Sequence, residues 1–301
     1  MSVEGQLKQL LEAGVHFGHQ SSRWNPKMKK FIFASRNGIH IIDLKKTQLA
    51  LQEAQRAVRD VTLNGDRVLF VCTKRQLRPV IEAEAQRSGS FFVTERWLGG
   101  MLTNFSTIKK QIRRLKELER GLEEGAYEFY TKKEQLMLSR EKDKLAKYLS
   151  GVKEMGRLPG AIFVVDAKKE TIAVKEANKL GIPVIAIADT NADPDAIDYP
   201  IPGNDDAIRS VGVITALIGD AIEQARRELP PDARRRAEDA DATTYSTEGG
   251  LAQEAATEDR GKRKRPRRKR RPRADVIANL RTHEEGGEAV GAETEEAEAE
   301  A

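Results

Sequence analysis

A single cysteine, few aromatics and no long apolar run narrow the reading of this chain before any motif is considered. With Cys72 alone, neither an intrachain disulfide nor a thiolate-rich metal site can form. Cys72 closes the apolar run Val68-Leu69-Phe70-Val71-Cys72, where a free thiol acts as a small buried hydrophobe. No window approaches the roughly 18 consecutive apolar residues of a membrane span. The acidic start Met1-Ser2-Val3-Glu4 lacks the apolar segment of an export signal, so the chain is expected to be cytoplasmic. Asn104-Phe105-Ser106 spells a glycosylation sequon, which has no meaning without export.

Glycine-rich phosphate loops are missing as well. The turns after the two most apolar strand candidates read Thr73-Lys74-Arg75-Gln76 and Asp166-Ala167-Lys168-Lys169, and no G-x-G-x-x-G or G-x-x-x-x-G-K-[ST] follows any strand. Without glycines the backbone cannot approach a pyrophosphate closely. No Ser/His/Asp or Cys/His constellation stands out either. A nucleotide-dependent enzyme or switch on a Rossmann-like fold is therefore the alternative, not the leading reading, and no small-molecule substrate is expected.

Charge is abundant. Charged residues make up 33% of the chain, against about a quarter in ordinary globular proteins. Residues 1–228 hold 37 basic and 30 acidic side chains, whereas residues 229–301 hold 15 and 17. A basic body points to a polyanionic partner.

Taken in order, Leu7 to Gly14 reads as a short helix, followed by loops Val15–Gln20 and Ser21–Lys30. The second loop carries Arg23, Lys27, Lys29 and Lys30 around Trp24, a mixture that can neutralise phosphates and stack on a base. Phe31–Phe33 and Ile39–Ile42 flank Asn37-Gly38, a favoured hairpin turn. Helical spacing runs from Asp43 to Leu63. Strands are expected at Val68–Cys72, Ser90–Thr94, Ala161–Val165 and Ile182–Ala188, with helices at Arg75–Arg87 and Glu170–Leu180. A proline-rich loop from Asp193 to Pro202 leads to a last helix over Asp205–Arg227, with Asn204 as its cap. Short apolar strands alternating with helices indicate a parallel sheet covered on both faces. The fold class is α/β: a doubly wound, flavodoxin-like or Rossmann-like parallel sheet.

An insertion interrupts the alternation. Phe105, Ile108, Ile112, Leu115 and Leu118 mark one face of a first helix, which Gly121 and Gly125 are expected to break. Thr131-Lys132-Lys133-Glu134 has the form of a capping box opening a second helix. Together they form an antiparallel coiled-coil hairpin whose outer faces carry Lys109, Lys110, Arg113 and Arg114, then Lys142, Lys144 and Lys147. Three parts follow: an α/β body over residues 1–103 and 157–228, an inserted hairpin over 104–156, and a tail over 229–301. The tail is poor in large apolar residues and is expected to be disordered. Its positions 262–273 place ten positive charges in twelve residues, followed by eight acids from Glu284 onward.

Two further readings concern chemistry. His16 and His19 lie in one loop, and Asp189, Asp193, Asp205 and Asp206 fall near the expected carboxyl edge of the sheet. His19, Asp189 and Asp205 are the candidate ligands for Zn²⁺ or Mg²⁺; a hydrogen-bonded polar cluster is the other reading of the same residues. The segment Arg96-Trp97-Leu98-Gly99-Gly100-Met101-Leu102-Thr103-Asn104, where the arm leaves the body, pairs a flexible glycine turn with a tryptophan.

That segment closely resembles a signature of the bacterial ribosomal protein S2 family. So do Leu11–Gln20 through Trp24-Asn25-Pro26-Lys27-Met28, together with Gly181-Ile182-Pro183-Val184, Asp189-Thr190-Asn191 and Ile201–Ile208. The resemblance covers residues 3 to about 227 in order; the tail is not part of the pattern. It implies a non-catalytic, ribosome-bound protein of the small subunit, an α/β sandwich with a protruding hairpin. It further implies binding to small-subunit rRNA and help in anchoring the large mRNA-binding protein. Candidate rRNA-binding residues are Arg23, Trp24, Lys27, Lys29, Lys30, Arg96, Thr103, Asn104, Lys109, Lys110, Arg113 and Arg114, with Trp24 or Trp97 stacking on RNA or packing behind the contact.

Overall fold

Two sheets carry the computed structural model, which describes residues 3–229; the expected tail and its basic block lie outside the described residues. The first helix, α1 (Val3–Glu12), leads into β1 (Phe17–Gln20), β2 (Ile32–Arg36) and β3 (Ile39–Ile42). These three strands form a small antiparallel sheet of order β1-β3-β2. Asn37 and Gly38, at φ 52° and 73°, give the paired left-handed turn that matches the right-handed twist of a tight hairpin.

The main sheet is wholly parallel. After α2 (Leu44–Leu63) come β4 (Val68–Val71), α3 (Arg78–Ser88) and β5 (Phe91–Val93). Next are α4 (Phe105–Glu123) and α5 (Lys132–Leu149), then β6 (Ala161–Val165), α6 (Thr171–Leu180), β7 (Val184–Ala188), β8 (Tyr199–Pro202) and α7 (Ile208–Glu228). Strand order is β5-β4-β6-β7-β8, so the chain winds outward from β4 in both directions and leaves its switch point between β4 and β6.

Side chains alternate between the two faces, as the pleat requires. Val68, Phe70, Phe163, Ile185 and Ile187 join Leu51, Val58, Ile81, Ile214 and Ile218 in one core layer, built with α2, α3 and α7. Leu69, Val71, Ile162, Val164, Val184 and Ala186 join Ala173, Val174 and Ala177 of α6 in the other. The second layer also takes Ile108, Ile112 and Leu115 from the root of α4 and Leu149, Val152 and Met155 from the return of the arm. The helical hairpin is thus continuous with the core at its base.

Several boundaries differ from those expected. Phe17–Gln20 is a strand, because pairing with β3 supplies the ladder that its glycine- and histidine-containing sequence does not advertise. Tyr199–Pro202 is likewise a strand inside the expected proline-rich loop. It lies at the sheet edge, where a missing N–H is tolerated, and the Pro202 carbonyl turns outward to accept the Thr47 hydroxyl at 2.7 Å. Helix α3 begins at Arg78, with Pro79 in its first turn. Helix α7 begins at Ile208 after Ala207, and Asn204 instead folds an Asx turn, accepting the N–H groups of Asp206 and Ala207 at 2.9 and 3.2 Å. Gly121 does not break α4; it is buried within the helix, and a Cβ there would stand 2.6 Å from the Tyr127 ring. Gly125, at φ 69°, follows the helix end, and the capping box at Thr131 opens α5 as expected.

Where the arm rejoins the body, Gly151 packs directly on the main chain of β5's strand. A Cβ at this position would lie 2.1 Å from the Phe92 carbonyl oxygen, so backbone must move to admit it. Gly151→Ala is expected to lose about 1–3 kcal/mol, the usual cost of overpacking, read as a lower urea midpoint with an unchanged m-value.

Candidate nucleic-acid interface

Glu176 on α6 organises the segment that launches the arm. One carboxylate oxygen accepts the Trp97 indole N–H at 3.1 Å and the Gly100 N–H at 2.8 Å. The other accepts the Leu102 N–H at 3.0 Å and both the N–H and hydroxyl of Thr103 at 3.2 Å. Successive N–H groups converge because Gly100 adopts φ 84°, a left-handed conformation that turns the chain into an anion-binding nest. Burial pushes the Glu176 carboxyl up, but the donors of Gly100, Trp97, Thr103 and Leu102 outweigh it and hold the group below the ordinary carboxylate range. Trp97, Met101 and Leu102 lie in the core, so Trp97 packs and anchors and presents no face for stacking. Arg96, immediately before, is exposed.

The basic turn is fixed by the same layer. Met28, between Lys27 and Lys29, is wholly buried with Trp97 and Met101, and the Asn25 N–H donates to the Thr190 carbonyl at 2.7 Å. Trp24 is half-buried with its ring tilted against His40, centroids 5.2 Å apart. Lys27 is held internally: Asp195 lies 2.7 Å and Asp193 3.0 Å from its ammonium, and these carboxylates raise its pKa. Lys29 and Lys30 are exposed, with Lys30 over the Phe31 ring.

On the arm the four expected cations separate. Lys109 does not face outward; it is buried at the root of α4, with its ammonium 5.2 Å from the Phe105 ring. The root of α4 packs against the body, and its helical stripe is therefore wider than the aliphatic residues alone indicate. Arg114 bridges the two helices, its Nε and Nη2 reaching Glu141 at 3.0 and 3.1 Å. Lys110 is exposed and Arg113 half-buried. Thr103 is committed to Glu176, while Asn104 precedes α4 without a side-chain cap to a helix N–H, its Oδ1 accepting the Thr107 hydroxyl at 2.9 Å. Among the described residues, Arg23, Lys29, Arg96, Lys110 and Arg113 form no ion pair with a carboxylate.

At the switch point, where doubly wound sheets bind ligands, the crevice is crossed by Lys74. Its ammonium lies 2.9 Å from Asp166, 2.9 Å from Asp205 and 2.7 Å from Asp206. Burial would lower the Lys74 pKa, but these carboxylates raise it overall. Asp205 is pushed up to about 7 by burial and by the neighbouring Asp166. The adjoining loop is closed by Glu170, which accepts the Thr73 N–H at 3.1 Å. Three carboxylates around one ammonium repel a phosphate, which argues against a nucleotide in this crevice.

His19 stands beside this cluster, with Nδ1 3.0 Å from Asp189 and Nε2 3.5 Å from Asp206; the bond to Asp189 raises its pKa. For a metal the converging set among the described residues is His19, Asp205 and Asp206, not the expected trio, because Asp189 sits behind the imidazole on its other nitrogen. Lys74 already occupies Oδ1 of both Asp205 and Asp206. The arrangement fits the hydrogen-bonded polar cluster, with Lys74 as its cation.

Sequence reasoning had not singled out Glu176 or Lys74. An acid within an amphipathic helix looks solvent-facing until the loop that covers it is placed.

Comparison with known proteins gives a consistent picture. A family model described as Ribosomal protein S2 matches residues 10–225. The chain is 57% identical over 222 residues to a protein of Treponema pallidum (strain Nichols) named small ribosomal subunit protein uS2, covering 74% of this chain and 76% of that one. It is 57% identical over 223 residues to the protein of the same name from Syntrophobacter fumaroxidans, covering 74% and 81%.

Two outcomes follow from the geometry. Glu176→Ala orphans three main-chain donors and an indole, and should cost about 3 kcal/mol or more in urea unfolding at neutral pH. The folded pKa lies below the unfolded one, so this contribution is present above the ordinary carboxylate range and is lost as pH falls through the folded value; the deficit should shrink on acidification. Lys74→Met strands buried carboxylates and should cost about 3–5 kcal/mol. Its deficit should be smaller near pH 5 than near pH 8, because Asp205, ionising at about 7, is protonated at the lower pH.

Proposed function

The chain belongs to the ribosomal protein S2 family, and from that membership we propose that it grips folded small-subunit rRNA with the turn around Arg23 and Lys29, the loop at Arg96 and the helical arm. It is a structural protein of the small ribosomal subunit, acting in translation, rather than an enzyme, and members of the family need no cofactor of their own. Its place is on the ribosome in the bacterial cytoplasm.

The observation that carries the rRNA reading is the sorting of cations. Lys27, Lys74 and Arg114 are consumed by carboxylates within the protein, whereas Arg23, Lys29, Arg96, Lys110 and Arg113 are left without one among the described residues. Unpaired cations on a rigid frame supply phosphate contacts, which position a protein on RNA without reading sequence. Selectivity then comes from the shape of the folded RNA. Trp24, packed on His40, stiffens the basic turn from behind. The body and the hairpin act as two grips of one platform. Help in anchoring the large mRNA-binding protein is carried over from the family resemblance.

Sedimentation tests this reading. The protein should run with small subunits at low salt and leave them as salt rises. Replacing both Lys110 and Arg113 with Glu should leave circular dichroism unchanged, reduce the salt slope by about two, and release the protein at lower salt. Retention of that variant identical to wild type would remove the arm from the binding surface.

A further inference from the structure

The turn at the free end of the arm is held in a fixed shape, yet it leaves large apolar side chains in water. Gln135 Nε2 donates to the carbonyls of Tyr127, Glu128 and Tyr130 at 3.0, 3.3 and 3.2 Å, tying the connecting loop to α5. Tyr127 covers Gly121 and meets the Tyr130 ring edge-on, with centroids 5.6 Å apart. The capping box of Thr131 and Glu134 closes the loop where α5 begins. Phe129, inside this ordered loop, is 97% exposed. Leu122, Tyr130, Leu136 and Met137 are exposed as well. Single apolar residues on a surface are ordinary, but five within residues 122–137 of one turn mark a contact surface.

Charge decides what kind of partner that surface fits. Residues 105–116 hold five cations and no acid, whereas residues 117–134 hold six acids and three cations. Of those three cations, Arg120 stands 3.9 Å from Glu124, while Lys132 and Lys133 are exposed on the first turn of α5. Glu123 and Glu128 are exposed and form no ion pair among the described residues. The arm therefore changes sign along its length: its root attracts phosphate and its end repels it. Glu128 also borders a cleft of ≈ 160 Å³ lined by Leu122, Tyr127 and Gln135. That is well below the roughly 300–1,000 Å³ of a small-molecule site, and leaves room for one inserted side chain.

We propose that the end of the arm docks a basic segment of a neighbouring small-subunit protein, one that carries an apolar side chain among Lys or Arg residues. The apolar side chain enters the cleft between Leu122 and Tyr127, and a cation beside it pairs with Glu128 or Glu123. Phe129 then receives a guanidinium or an aliphatic stem on its ring. The arm thus meets RNA near its root and protein at its end. This inference rests on the chain's place in the small subunit and is independent of which cations grip the rRNA.

The test uses the full chain with the photocrosslinker p-benzoylphenylalanine at position 126, an exposed site in the same loop that leaves Phe129 in place. A second chain carries it at position 133. Each is assembled into small subunits and irradiated, and the adducts are identified by mass spectrometry and by reverse transcription of the rRNA. One dominant adduct is expected, on a Lys- or Arg-rich segment of a single small-subunit protein. Phe129→Ser should lower its yield, and Glu123→Lys with Glu128→Lys should lower it by about tenfold or more. Both variants should keep the wild-type circular dichroism and thermal midpoint, because none of the three side chains is buried or ion-paired. Sedimentation of wild type with small subunits is scored separately; if that fails, the ribosomal placement falls and this inference with it. If wild type sediments with the subunit, four results overturn the docking site alone: no adduct at either position, adducts on rRNA only, adducts on an acidic segment or spread over several proteins, or a yield unchanged in both variants.

Discussion

The structure depends most on the carboxylate of Glu176. An antiparallel pair of helices that leaves a parallel sheet through a glycine-containing loop has no fixed direction of its own. Here five hydrogen bonds from four residues converge on one charged group on α6, so the loop is tied to the body at both oxygens. Charge-assisted bonds of this kind are short and directional, and a buried carboxylate with all its acceptor sites engaged has no alternative arrangement nearby. The Trp97 ring, the first turn of α4 and the exposed Arg96 inherit their positions from that one anchor.

A second constraint decides what the sheet is used for. Doubly wound sheets offer a crevice at the strand-order reversal, and in nucleotide enzymes glycines and a helix N-terminus receive phosphate there. In this protein Lys74 and its ring of carboxylates fill the place, and Asp166 holds a left-handed backbone at φ 68° while its Oδ1 accepts the Lys169 N–H. The site is spent on holding β4, β6 and the loop before α7 together. Chemistry at the crevice has been exchanged for rigidity, and positive charge is displayed elsewhere.

Cations in the chain therefore divide into two populations that composition does not separate. Lys27, Lys74 and Arg114 build the protein; Arg23, Lys29, Arg96, Lys110 and Arg113 remain to meet a polyanion. The net positive charge of the body is informative only after this sorting, since an ammonium already between two carboxylates contributes little field outside.

Much was legible in the chain itself. The Asn37-Gly38 hairpin, the capping box at Thr131, the helical faces of α2, α4 and α7 and the buried strands β4, β6 and β7 follow from local rules: left-handed turns need Asn and Gly, and periods of 2 and 3.6 expose one face to the core. The family strings at Arg96–Asn104 and Ile201–Ile208 pointed to the right relatives. What the chain alone did not disclose depends on partners distant in sequence. Phe17–Gln20 and Tyr199–Pro202 are strands only because β3 and β7 lie beside them, and Gly121 stays helical because Tyr127 takes the space of its side chain. Glu176, Lys74 and the buried Lys109 acquire their roles from groups 73 to 132 residues away or from packing at the root of the arm. Local sequence sets propensity and periodicity; pairing, charge neutralisation and close approach exist only once the chain has folded back on itself.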